Sequence, residues 1–259
     1  MRLISALMIV LVLSQTTFAQ QRKDPRVRII TRTQLQQLII KTPVNSRIHG
    51  RIIGWAQESG LIGAAYVQYD SLWRKQPKSA CANLWRGITA LSYLDVASFP
   101  SSKVRLSGDQ KARLFENGRS GLRNAVALQP NLSWANAAYG GFLFNQTNGE
   151  QEGLALMRKS VKLEPTNVSA WAALGDGLIN PYRSVHNAKE GEQALLKATR
   201  LDPLYASPHL SLIRLYVEQK RFGEAQRQLQ TFVSLTPPKD GAQVTAYWKS
   251  DIDKGLRHQ

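Results

Sequence analysis

The sequence predicts an all-α solenoid built from repeated helix–turn–helix units. A Leu-x-Pro triplet recurs at residues 128–130, 163–165, 201–203 and 235–237. The punctuating prolines Pro77, Pro130, Pro165, Pro203 and Pro237 lie 53, 35, 38 and 34 residues apart, so three of the four intervals fall at or just above 34. In the last two intervals small residues (Gly175, Ala198, Ala225) accompany bulky ones (Trp171, Leu174, Leu212, Tyr216), the composition of a seam where two helices approach closely. A proline after the second helix cannot continue the hydrogen-bond ladder and restricts the residue before it, so it ends one unit and starts the next.

Taken in order, the chain opens with Met1 and Arg2, an apolar run over residues 3–13, a short stretch of Ser14, Gln15, two threonines and Phe18, and the small residue Ala19 at a plausible cut. That is the layout of a secretory signal with cleavage after residue 19, and its run is far shorter than the roughly 20 apolar residues a membrane span needs. Residues 20–45 form a basic N-terminal segment. From residue 20 to residue 51 there are eight basic residues (Arg22, Lys23, Arg26, Arg28, Arg32, Lys41, Arg47, Arg51) against Asp24 alone. Its composition reads as a solvated leader with little apolar surface, although Thr31 or Thr33 can cap a helix running to Lys41. Five units follow at 46–79, 80–132, 133–167, 168–205 and 206–239, and residues 240–259 supply a polar capping helix and tail. Gly60 breaks the first unit, and Ser107 with Gln110 forms a capping box opening the second helix of the second unit.

The first-helix core of the fourth unit, Trp171, Leu174 and Gly175, together with Leu212, Tyr216, Ala225 and the closing Pro237 of the fifth, resembles the tetratricopeptide-repeat (TPR) family, whose period is 34 residues. The resemblance implies a right-handed superhelix in which first helices line a concave groove that grips a protein or peptide partner, without catalysis. It points to Trp134, Phe144 and Asn145 in the third unit, Asp176 and Asn180 in the fourth, and Arg214 and Glu218 in the fifth as groove residues. Members that clamp a carboxylate terminus use Lys and Asn at set places; Ala137, Ala172 and Leu210 stand there, so that clamp is absent. Extra residues between the helices of the second, third and fourth units project from one edge, which makes Lys103, Arg105, Tyr182, Arg183 and His186 a second candidate surface.

Chemistry is sparse. His49, His186, His209 and His258 are isolated from one another and from ligand-spaced carboxylates, so neither a metal nor another cofactor is expected. Residues 118–121, Gly-Arg-Ser-Gly, lack the spacing of a nucleophile elbow. Cys81 is the only cysteine, which excludes an intramolecular disulfide. Sequons occur at Asn131, Asn145 and Asn167, and the tryptophans Trp55, Trp85, Trp134 and Trp171 all fall on first helices. The formal net charge of +16 favours anionic partners. For an exported chain, bound for a bacterial periplasm or secreted, these are acidic proteins, envelope polymers or membrane surfaces, with no nucleic acid and no small-molecule substrate indicated. The expectation is a non-catalytic interaction scaffold; a binder of anionic polymer or membrane surface through the basic segment is the alternative.

Overall fold

The computed structural model describes residues 29–98, 102–235 and 238–257, with the side chains of 238–241 and 243 outside the description. The expected signal segment and residues 20–28 of the basic segment lie outside the described residues. Among those residues, twelve helices and no strand make an all-α solenoid.

A leading helix, α1 (Arg32–Lys41), precedes five antiparallel pairs: α2 (Ile48–Glu58) with α3 (Ile62–Lys75), α4 (Ala80–Ser98) with α5 (Gly108–Leu128), α6 (Ser133–Phe144) with α7 (Glu150–Leu163), α8 (Val168–Leu178) with α9 (Ala188–Leu201), and α10 (Ala206–Glu218) with α11 (Phe222–Leu235). A long helix, α12 (Pro238–Arg257), follows. First helices of neighbouring units touch one another. The apolar core runs along the stack, from Ile52, Tyr69, Trp85 and Leu122 through Phe144, Met157 and Leu174 to Leu212, Phe232 and Ile252.

In the three central pairs the helices meet through glycine on both sides. A Cβ added to Gly153 would stand 2.5 Å from the Gly140 carbonyl oxygen, one on Gly121 would stand 2.9 Å from Gly87 Cα, and one on Gly175 would stand 2.9 Å from the Gly191 carbonyl oxygen. Any side chain there would force the pair apart. The tight turn of the first unit instead needs glycine for its backbone, because Gly60 has φ +68°.

A second regularity ties each unit to the one before it. The residue six after Pro77, Pro130 and Pro165 sends its side chain back to that proline's carbonyl. Asn83 Nδ2 donates to Pro77 at 2.8 Å, Asn136 Nδ2 to Pro130 at 2.9 Å, and Trp171 Nε1 to Pro165 at 2.9 Å. His49 Nε2 does the same to Pro43 at 3.1 Å. Since a carbonyl only accepts, the His49 proton sits on Nε2 and Nδ1 accepts from Tyr69 Oη at 2.9 Å. In the fifth unit His209 occupies the matching place near Pro203, with Nδ1 bonded to Gln228 Oε1 at 2.6 Å and Nε2 unbonded. These bonds fix where each first helix starts, because they satisfy a carbonyl in the turn that helical pairing cannot reach.

Residues 29–45 overturn the reading of the whole basic segment as a leader with little to bury. Thr31 caps α1 in a full capping box with Gln34. Ile30, Leu35 and Ile39 are 5%, 1% and 3% exposed and join the core of the first three units. The apolar residues are few, but their spacing along α1 places Leu35 and Ile39 on one face, one turn apart.

Candidate functional site

Counting from the proline-bonding residue gives every first helix one register and sorts its open face into rows. Five residues later stand Gly54, Ile88, Gly141, Asp176 and Arg214; nine later stand Glu58, Ser92, Asn145, Asn180 and Glu218; two earlier stand Arg47, Cys81, Trp134, Ser169 and Ser207.

The middle row is closed in its last two units. Asp176 Oδ1 accepts from Arg214 Nη2 at 3.0 Å and from Ser211 Oγ at 2.8 Å, and the Asp176 side chain is 8% exposed. These residues were expected to face a partner; they face each other, because matching positions on adjacent first helices are near neighbours. Phe144 is a second correction. It is 1% exposed, in a core group with Met157, Leu174 and Leu178, and the Arg183 guanidinium lies 5.2 Å from its ring. It sits eight residues after Asn136, two turns along the helix, on the face turned toward the next unit.

The later row is polar and partly committed. Asn145 Nδ2 donates to Gly141 O at 2.9 Å while its Oδ1 accepts from Arg183 at 3.5 Å. Asn180 Oδ1 accepts from the Tyr182 amide at 3.1 Å, so it shapes the turn after α8. Glu58 and Glu218 differ from both. Burial pushes the Glu58 carboxyl up to about 8, and its Oε1 has no partner. Burial also raises Glu218, against the pull of Arg214 and His186. On α4, one turn beyond Ser92, Asp95 is another carboxyl raised by burial, to about 6.

The loop edge is not brought together as one patch. Arg183 and Ser184 are held by Glu150, through Arg183 Nη1 at 3.0 Å and Ser184 Oγ at 2.7 Å, which fixes the loop against the start of α7. Tyr182 projects from it 94% exposed, and His186 is exposed beside it. Arg105 donates to carbonyls of its own loop, at Ser102 and Val104, and Lys103 is exposed. Among the described residues no hydrogen bond or ion pair joins Lys103 or Arg105 to residues 182–186.

The earlier row opens instead of closing. Arg47, Cys81 and Trp134, from three consecutive units, line one cleft of about 420 Å³ whose remaining walls include Asn45, Trp85, Gln129, Asn131 and Glu164. Trp134 packs its ring toward Gly50 of α2, and its Nε1–H is buried without an acceptor. Arg47 Nη1 reaches Glu164 at 2.6 Å, with the arginine side chain 67% exposed and the glutamate 15%. Trp85 Nε1 donates to Val44 O at 2.8 Å, which anchors the chain entering α2. Cys81 is half-buried, and burial raises its thiol, so it is a weak nucleophile that still lies accessible on the cleft wall.

Two readings of isolated residues change. Among the described residues no group of His, Cys, Asp and Glu is arranged to hold a metal; His49 and His209, which looked isolated in the sequence, are buried, His49 on the Pro43 carbonyl and His209 on Gln228. Pro43 and the six-residue spacing were the missed signal. The spacing was hidden because the donors are chemically unlike: His, Asn, Asn and Trp. Of the sequons, Asn167 is 1% exposed and caps α8 through the Ala170 amide, whereas Asn131 is exposed at the cleft rim.

Paired helices locked to successive prolines, with first helices against first helices, define a TPR solenoid. The chain is similar in three dimensions to TTC0263, a thermophilic TPR protein of Thermus thermophilus, with a TM-score of 0.58 and 14% identity over 86% of this chain and 99% of that one. It is also similar to pilF of Pseudomonas aeruginosa, with a TM-score of 0.50 and 16% identity over 87% and 89% of the two chains. No protein-family model matches the sequence, and no curated protein does. At these identities the likeness establishes the TPR fold.

Proposed function

We propose that the protein is an exported, non-catalytic scaffold that holds a protein or peptide partner against its first-helix face. One observation carries this reading: that face opens at the first three units into a cleft with a buried, unsatisfied indole N–H and an exposed guanidinium, while its later units are closed by their own ion pair. Unmade hydrogen bonds in a cleft favour an occupant that supplies the missing acceptor. Export rests on residues 1–19, and a bacterial periplasm or secretion follows from it as the compartment. Among the described residues no helix is long and apolar enough to cross a membrane.

The test is site-specific photo-crosslinking in cells. A crosslinker at Ser169, on the first-helix face, should capture a partner that one at Lys159, on α7, does not. Equal capture from both positions would sink the groove reading. N-terminal sequencing of the exported chain should begin at Gln20, and retention of Met1 in the cell interior would remove export.

A second reading has its own observation, the eight basic residues against one acid between residues 20 and 51. In it the basic segment holds an anionic envelope polymer or membrane surface. Such binding should weaken steeply as salt rises, since it rests on exposed charge. Binding indifferent to salt excludes it.

A further inference from the structure

Resting on the scaffold reading, we infer that the cleft between the first three units is a subsite for an internal acidic side chain of an extended peptide. A carboxylate of the partner occupies the unused edge of the Arg47 guanidinium, and a neighbouring acceptor takes the Trp134 Nε1–H.

Three observations converge on that chemistry. Arg47 has five N–H donors in a planar fork, and the bond to Glu164 at 2.6 Å is made by Nη1. Glu164 is largely buried, so the pair orients the guanidinium at the cleft while most of it stays in solvent. A second carboxylate can therefore bind the other edge without displacing the first, in the bidentate geometry arginine favours. The second observation is an orphan donor on another residue lining the same cleft. Trp134 Nε1 is buried and unbonded, and the ring faces Gly50, where no side chain blocks its adjustment. The third is charge: a chain of formal net charge +16 as a whole draws anionic segments and repels basic ones. The amides of Asn45, Gln129 and Asn131 add neutral donors along the wall, which suits a main chain lying across the cleft.

Cys81 supplies the readout, as the only cysteine and a cleft wall. The probes are three fluorescent decapeptides, acetylated and amidated so that no terminal carboxylate is present, rich in Glu, Gln or Lys. The Glu peptide should bind the purified chain and slow alkylation of Cys81 by iodoacetamide; the Gln and Lys peptides should do neither. Arg47→Gln should weaken the Glu peptide about tenfold or more, the range of a charge-assisted hydrogen bond. Trp134→Phe keeps an aromatic ring, removes the donor and should weaken binding about fivefold. Glu164→Gln leaves the guanidinium in place and should bind as well as the parent or better. If Glu164→Gln loses as much as Arg47→Gln, arginine serves the fold alone and the inference is overturned. Equal binding of the Gln peptide, an unprotected Cys81, no binding of the Glu peptide, or unchanged affinity in Arg47→Gln or Trp134→Phe would overturn it too. Any of these results with crosslinking from Ser169 intact removes only the acidic subsite; loss of that crosslinking removes the scaffold reading as well.

Discussion

Arg214 of α10 places Nη2 3.0 Å from Oδ1 of Asp176 on α8, joining two neighbouring units through matching positions of their first helices. The carboxylate is also held by Ser211 Oγ, and the pair is largely out of solvent, with side-chain exposures of 20% and 8%. Similar links recur along the stack. Asp70 meets Arg86 at 2.7 Å, Glu150 meets Arg183 at 3.0 Å, and Glu192 meets Arg221 at 2.9 Å, each acid one unit ahead of its arginine. Ion pairs therefore cross the joints between successive units.

Removing one partner of such a pair leaves a buried charge unpaired, and that penalty exceeds the net worth of the pair itself. Arg214→Ala should destabilise by about 2–4 kcal/mol in urea unfolding, because the Asp176 carboxylate is the more buried partner. Asp176→Asn should cost less, since the amide keeps an acceptor for Ser211 and for the guanidinium. If Arg214→Ala unfolds at the parent's midpoint, the pair is not structural and the two residues return to the groove as partner contacts.

The proline-directed side chains make a prediction that hydrophobic patterning does not. Asn136 is fully buried and donates to Pro130 O and Leu132 O at 2.9 and 2.8 Å. Asn136→Leu matches its size roughly and is more apolar, yet it strands the Pro130 carbonyl, while Leu132 O keeps the backbone amide of residue 136 at 3.1 Å. It should destabilise by about 1–3 kcal/mol. Arg119→Gln, in an exposed pair with Glu116, should stay within about 0.5 kcal/mol. A neutral Asn136→Leu would mean the bonds are incidental to the turn.

Titration should distinguish the buried acids from the buried imidazoles. Glu58 and Asp95 are raised by burial to about 8 and about 6. Their stabilising effect is complete below the ordinary carboxylate range and is lost as pH rises through those values, because the folded state resists ionisation. His49 and His209 are lowered by burial, so stability is lost on their account as pH falls below about 6.5 and the unfolded chain takes up protons that the fold refuses. Glu58→Gln should therefore raise the melting temperature at pH 9 and leave it unchanged at pH 4. A gap of equal size at both values would show that Glu58 is not neutral in the fold.

How far the sequence carried depended on whether a residue acts within its own unit or between units. Gly175, Ala198 and Ala225 were legible as close-approach positions because helix pairing repeats at the family's period and leaves the same small residues in phase. Phe144 and Asp176 were not, since each turns toward the following unit, and one chain's periodicity does not say which side of a first helix that unit covers. Leu35 and Ile39 were hidden by the basic residues around them. The Arg47, Cys81 and Trp134 row was invisible for a different reason: its members share no chemistry, and only the register fixed by His49, Asn83 and Asn136 aligns them.

The leading helix gives a prediction opposite to what its composition suggests. Leu35 is 1% exposed in the core of the first units, so Leu35→Ala should cost about 2–5 kcal/mol. Deleting residues 20–45 should destabilise at least as strongly. A deletion variant that melts like the parent would show that α1 is not part of the cooperative unit.

The fifth unit closes the same way, by burial of its apolar face under the following helix. Helix α12 lays Val244, Trp248, Ile252 and Leu256 on the last repeat, with Ile252 1% exposed among Leu229, Phe232 and Leu235. Its fit is close enough that a Cβ on Gly255 would come within 2.2 Å of the Phe222 ring. Terminating the chain after Pro237 bares that surface, which a stacked repeat cannot satisfy within itself. The truncated chain should lose cooperativity in α10 and α11 first, seen as faster amide exchange there than in α6 to α9. Ile252→Ala should produce a milder version, about 2–5 kcal/mol, with the chain otherwise intact. Uniform exchange protection in the truncated form would mean that the fifth unit needs no cap and that α12 is an appendage.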